Sequence, residues 1–335
     1  MSLIENAIAR LEEAGTQGKD DLRRIYPLKQ AAVLESDKVT SIGGSARFEP
    51  LSKPPPEAIR RDALSDDPIR ADVPAANHPP PELVHPKTAK ANPVAFDETF
   101  ELPVSRLKEQ GFVTPEARAT ATGREFRMIK GPVLEKAFGT PTQRVPNGHR
   151  IVVTSALPGE GKTFCAINLA ISMAVTGSRR VLLIDADVAQ PSVAKHLGIE
   201  DRLGLIDLLT GRAPDPLKII LQSSIPGLAV MPAGQFQQHA GEYLASQEMS
   251  SLMDRLGADF PEMLIIIDTP PLLAVSETRA LVQRAGQTLL VVAAGSTKRE
   301  SVDAALASVA GYSDISMILN KLPPGRSEFG AYYEY

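Results

Sequence analysis

Residues 150–163 read RIVVTSALPGEGKT. The first six, Arg150 to Ser155, are a short apolar run with the character of a buried strand. From Lys162 to Val175 the chain reads as a helix that ends at Gly177. Between them, ALPGEGKT (156–163) must turn strand into helix. Gly159 and Gly161 let backbone N–H groups point into a pocket without side-chain obstruction. The helix N-terminus adds its partial positive charge. Lys162 can reach the β and γ phosphates of a nucleotide, and the Thr163 hydroxyl can ligate magnesium. The strict template GxxxxGK[ST] has glycine where Ala156 stands; its other fixed positions are present. The stretch therefore predicts binding of ATP and Mg2+, with Pro158, Gly159, Glu160, Gly161, Lys162, Thr163 and Phe164 as the nucleotide-binding residues.

Further strands are expected on either side of this unit. RVLLIDAD (180–187), LAVMPAG (228–234), EMLIIIDTPP (262–271), TLLVVAAG (288–295) and SMILNK (316–321) are nearly continuous apolar runs separated by helical stretches. That alternation predicts an α/β fold with a mainly parallel sheet covered by helices on both faces. Upstream, Glu125 to Phe138 carries a helical pattern that Gly131-Pro132 is expected to interrupt.

Carboxylates close two of the strands. Asp185 and Asp187 lie two apart at the C-terminal end of a strand, the end where parallel sheets bind ligands. They suit a hard cation, or one metal contact plus one base, or a cap for the next helix. Asp268 ends the aliphatic run LIIID, where an unpaired charge is costly and magnesium is the natural partner. Asn320-Lys321 ends a late strand, where a nucleotide base could sit.

The N-terminal third differs in composition. Residues 1–20 contain a short amphipathic helix with Leu3, Ile4, Ala7, Ile8 and Leu11 on one face. Residues 21–96 form a proline-rich linker, with PPP at 54–56 and 79–81, too poor in apolar surface to offset the entropy of ordering. The folded domain is expected over 97–325, followed by a tail, 326–335. That tail holds Tyr332, Tyr333 and Tyr335, half of the six tyrosines in the chain. Three tyrosines on a free end are of no use to a core, whereas beside an ATP site they are candidate phosphate acceptors; phosphorylating all three would add about −4.5 to −6 charge.

The 335 residues carry a net charge of −4, so no basic surplus drives binding to nucleic acid. The single cysteine, Cys165, excludes an intrachain disulfide. No apolar run reaches the ~18–20 residues of a membrane-spanning helix, and the N-terminus lacks the apolar region of a secretory signal. A cytoplasmic location is expected, with any membrane contact supplied by a partner.

Taken together, LPGEGKT, LLIDADVAQP, IIIDTPP and the tyrosine-rich tail resemble the bacterial tyrosine autokinases of exopolysaccharide export loci, over about 120–335. MSLIENAIARLEE and REFRMIKGPVLEKAF are similar, more narrowly, to the kinase of exosortase (PEP-CTERM) loci. The resemblance implies ATP-dependent tyrosine autophosphorylation in trans within a ring of identical subunits. It also implies a membrane-embedded polysaccharide chain-length determinant as activating partner at the inner face of the plasma membrane, and a protein-tyrosine phosphatase that resets the tail. It gives Asp185 the task of activating the tyrosine hydroxyl and gives magnesium to Asp187 and Asp268 beside Thr163. Lys162, Asp185, Asp187 and Asp268 thus form the expected catalytic set. One departure concerns the ExxRxxR pattern that many relatives use in ring assembly: here the register gives Arg124, Arg127 and Lys130, with the acid displaced to Glu125. Two other readings remain. A partition- or septum-positioning ATPase shares the superfamily, but usually has lysine where Leu157 stands and has no use for the tail. A scaffold that binds nucleotide only to set its assembly state is the other.

Overall fold

The computed structural model of the chain describes residues 96–116, 120–177, 179–235 and 237–322. The expected amphipathic stretch 1–20, the linker apart from Phe96, and the tail 326–335 lie outside these residues.

Among the described residues eight strands build one sheet: β1 (Glu98–Phe100), β2 (Arg150–Ser155), β3 (Arg180–Asp185), β4 (Leu221–Ser223), β5 (Leu228–Met231), β6 (Met263–Asp268), β7 (Gln287–Ala293) and β8 (Asp314–Asn320). Their spatial order is β1-β4-β5-β3-β6-β2-β7-β8. From β5 to β8 every neighbouring pair is parallel; β4 runs antiparallel to β5, and β1 pairs parallel with β4. The six parallel strands are the six apolar runs of the sequence. The two additional strands, ETF at the sheet edge and LQS between β1 and β5, are three residues each and too short to show a period of their own.

Period-two alternation sends the aliphatic side chains to both faces of the sheet. Ile151, Val153, Val181, Leu183, Leu264, Ile266, Leu289 and Val291 join one core cluster with the helix Lys162–Val175. Val152, Leu182, Ile184, Ile265, Ile267 and Leu290 are equally buried and, by alternation, serve the other face. A strand hidden on both faces is apolar through its middle, and β2, β3 and β6 are, with polar or charged residues only at their ends.

The helix Ala121–Phe138 runs unbroken through Gly131-Pro132, against the interruption expected there. Pro132 deprives the Met128 carbonyl of its usual donor, but Met128 is one of the most exposed large apolar residues, so water can take that place. Thr120 caps the helix by accepting from the Gly123 N–H at 3.1 Å. Arg124, Arg127 and Lys130 project from this helix, and the Lys130 ammonium donates to the Thr176 hydroxyl at the end of the cradle helix, at 3.2 Å. Asn168 ties the preceding segment down: its Oδ1 accepts from the Val113 N–H at 2.6 Å while its Nδ2 donates to the Phe164 carbonyl at 2.9 Å.

Candidate nucleotide and magnesium site

The strand ends of β2, β3, β6, β7 and β8 meet at one edge of the sheet, and every expected cradle residue is found there. Gly159 and Gly161 have φ of +80° and +95°, the left-handed region where only glycine is unstrained. The space beside Gly159 is open, whereas a Cβ on Gly161 would stand 2.1 Å from Asn320 Nδ2. Ala156, in the place of the template's first glycine, is buried and has no such positive φ, so a methyl group costs nothing there. Gly161 forms the N-terminal boundary of the helix Lys162–Val175 with no side chain covering its free amides.

Lys162, Asp185, Asp187 and Asp268 converge behind this loop. Register places Asp185 beside Asp268 on adjacent strands. Lys162 donates to Asp187 Oδ2 at 2.5 Å, with both side chains largely buried. Burial works to pull the proton off Lys162, but Asp268, Asp187 and Asp185 together overcome it and raise its pKa. Asp185 is fully buried and accepts the N–H groups of Asp187 (3.1 Å), Ser192 (3.2 Å) and Val193 (3.0 Å). It thereby holds the 187–193 turn, the capping arrangement foreseen as one of its three readings. Burial and the neighbouring Asp268 nevertheless push its proton affinity well above the usual carboxylate range.

Asp268 is the most exceptional of the four. It is 0% exposed, and, the pull of the Thr163 hydroxyl aside, neither carboxylate oxygen makes a well-formed hydrogen bond. Burial lifts its pKa to about 7, against the pull of the Lys162 ammonium and the Thr163 hydroxyl. A buried acceptor pair left bare is expensive unless something outside the chain completes it. A divalent cation fits that description, and Thr163 adds a hydroxyl held by Ser192 Oγ at 3.1 Å. Among the described residues no three His, Cys, Asp or Glu side chains gather into a metal cage. A cation here would lean on Thr163 and on phosphate oxygens as well as on carboxylates, which is the habit of magnesium rather than calcium.

The remaining expected residues take distinct positions. Pro158 is exposed on the loop. The Phe164 ring packs on Phe112 (4.9 Å between centroids) and Phe126 (6.5 Å), on the core side, so what it can offer a phosphate is its backbone amide. Cys165 is buried and its thiol is pushed up to about 12 by burial and by Asp268, which makes it inert. Asn320 Nδ2 donates to the Glu160 carbonyl at 2.9 Å, gripping the loop.

Two residues were not singled out from the sequence. Ser192 braces Thr163, and Thr297 donates its hydroxyl to the buried Glu160 carboxylate. Each lies in a loop with no motif of its own, more than a hundred residues from its partner in the case of Thr297. Only the folded sheet brings them to the cradle.

Strand, left-handed glycine loop, lysine at the helix start and strand-end carboxylates define a P-loop nucleotide-binding α/β domain, and residues 148–309 match the AAA domain family. The chain is 34% identical over 187 residues to the tyrosine-protein kinase YwqD of Bacillus subtilis (strain 168), across 54% of this chain and 76% of that protein. It therefore belongs to the bacterial tyrosine-protein kinase family. The putative tyrosine-protein kinase EpsB of Ralstonia solanacearum is 39% identical over 141 residues, which are 42% of this chain but 18% of that much longer protein. Among solved structures, the kinase domain of the Escherichia coli tyrosine kinase ETK superposes with a TM-score of 0.51 at 26% identity, over 71% of this chain and 88% of that one. Among the described residues no helix is long and apolar enough to cross a membrane.

Proposed function

We propose that this chain is an ATP-dependent protein-tyrosine autokinase that phosphorylates Tyr332, Tyr333 and Tyr335 of another copy of itself, and so regulates exopolysaccharide polymerisation and export. The observation that carries the reading is Asp268, a buried carboxylate with two bare oxygens beside Lys162 and Thr163 in a member of a tyrosine-kinase family. Magnesium, bound with the nucleotide, neutralises phosphate charge; Thr163, Asp187 and Asp268 are the residues that would hold it.

The chain's own groups do the rest. The amides of 159–163 orient the phosphates, and Lys162 offsets charge on the γ-phosphoryl oxygens. The bond from the tyrosine oxygen to the γ-phosphorus forms as the bond from that phosphorus to the β–γ bridging oxygen breaks. ADP leaves, and the phenolic proton passes to a carboxylate. Asp185 takes that proton in the assignment the resemblance gives. Its raised proton affinity suits a base better than a permanent anion does. The N–H groups of Ser192 and Val193 occupy Oδ2, and Oδ1 accepts one N–H and keeps a second lone pair for the phenolic proton. A membrane-embedded chain-length determinant would recruit the kinase to the inner face of the plasma membrane, and a tyrosine phosphatase would reset the tail.

Transfer between copies is tested by mixing two variants. One lacks residues 326–335 but keeps the site; the other carries Lys162→Met and keeps the tail. With labelled ATP, phosphotyrosine is expected on the Lys162→Met chain only when the two are mixed. Absence of label in the mixture, while the wild-type chain labels itself, would overturn transfer in trans.

A further inference from the structure

A carboxylate in a phosphate-binding loop is a physical contradiction unless its charge is turned away from the phosphates. Glu160 is such a residue, 3% exposed in the middle of the cradle. Both of its oxygens are occupied. Oε2 accepts from the Leu157 N–H at 2.7 Å, which closes the loop on itself. Oε1 accepts from the Thr297 hydroxyl. Thr297 Oγ1 in turn accepts from the Ala293 N–H at 3.1 Å, which leaves its own hydrogen free to be aimed at Glu160. The helix Arg299–Val309 starts two residues later, so its positive end lies near the same carboxylate.

The end of β8 grips the loop from another side. Asn320 Nδ2 donates to the Glu160 carbonyl at 2.9 Å, and the Lys321 ammonium donates to the Gly159 carbonyl at 2.6 Å. Lys321 adopts a left-handed φ of +58° at this point, an unusual conformation for a lysine. In a trans peptide the carbonyl and the following N–H point in opposite directions. Fixing the carbonyls of Gly159 and Glu160 against β8 therefore aims the amides of Glu160 and Gly161 the other way. The absence of a side chain on Gly161 is what lets Asn320 approach this closely.

We propose that Thr297, Asn320 and Lys321 are positioning residues for the phosphate loop, acting through Glu160 and Gly159 to point its amides at the β and γ phosphates. They touch neither nucleotide nor acceptor; they set the affinity of the loop for anions. The proposal rests on the reading of 156–163 as a nucleotide cradle.

The test uses the full chain and two probes, a fluorescent ADP and unlabelled pyrophosphate competing with it. Thr297→Val removes the hydroxyl at constant shape, and Thr297→Ser restores it. Thr297→Val is expected to weaken ADP about tenfold and to raise the KM for ATP similarly, with kcat changed by less than about twofold; Thr297→Ser recovers the wild-type values. Asn320→Ala is expected to weaken pyrophosphate, which has no base, as much as ADP. Wild-type affinity in Thr297→Val, or an Asn320→Ala defect confined to ADP, would overturn the positioning role. Failure of the wild-type chain to bind ADP at all would instead contradict the nucleotide site itself, so the two failures are distinct.

Discussion

Lys162→Met is expected to reduce tyrosine phosphorylation on the order of 10³-fold, the size of loss seen when a single preorganised charge facing a transition state is removed. The same change strips three buried carboxylates of their nearest cation. Asp185, Asp187 and Asp268 all act on Lys162, and its ammonium in turn lowers the proton affinity of Asp268. Removing one partner of a buried pair costs about 3–5 kcal/mol when the other stays charged. Here the carboxylates can take up protons instead, so the destabilisation is expected to be larger above neutral pH than below it. Thermal melts of the variant at about pH 6 and about pH 8 measure this, alongside phosphotyrosine formation. Equal melting shifts at both values would show that Lys162 does not hold the cluster's charge.

Asp268→Asn should separate stability from function. Asp268 titrates near 7 when folded and in the ordinary carboxylate range when unfolded. Its folded pKa is raised, so the folded state binds the extra proton. The stability it contributes is therefore complete below the unfolded value, near 4, and is lost as pH rises through about 7. At about pH 8 without nucleotide, the ionised wild-type carboxylate opposes folding and an amide does not. The variant is expected to be more stable there by about 2 kcal/mol, with a flatter stability profile between about pH 4 and about pH 8. Phosphoryl transfer should fall on the order of 10²-fold or more, because the amide is a poor magnesium ligand. A variant that loses stability at high pH and keeps activity would contradict both roles. A residue that weakens the free protein and serves the reaction is what a binding site for an absent charge looks like.

Much of this was legible in the sequence because one physical constraint dominates it. Strands buried on both faces must be apolar through their middle, so β2, β3, β6 and β7 appear as short continuous aliphatic runs with polar residues at their ends. The loop needs glycine at 159 and 161 for conformational reasons that no other residue satisfies, and a carboxylate at the end of an aliphatic strand stands out by its cost. The short strands β1 and β4 were not visible, since three residues are too few to display a period-two pattern, even in β4 where two of the three are buried. The continuity of the helix through Pro132 was missed because the lost hydrogen bond falls on an exposed turn, a fact that depends on packing. Thr297 and Ser192 escaped for a different reason: a hydroxyl that braces another side chain carries no periodicity and no spacing. Asp185 was read from spacing alone as a metal contact, a base or a cap. Its hydrogen bonds to the 187–193 turn are those of a cap, while its raised proton affinity keeps the base role open to experiment.

The central claim is transfer of the γ-phosphoryl group to tyrosine at the 156–163 cradle. Its most direct measurement is incubation of the purified full-length chain with magnesium and γ-labelled ATP, followed by phosphoamino-acid analysis and mapping of the labelled peptide. The expected result is phosphotyrosine in the peptide containing Tyr332, Tyr333 and Tyr335, absent from Lys162→Met. Steady release of labelled phosphate with no phosphotyrosine would contradict the claim and favour a positioning ATPase, and nucleotide binding with neither product would leave only a scaffold.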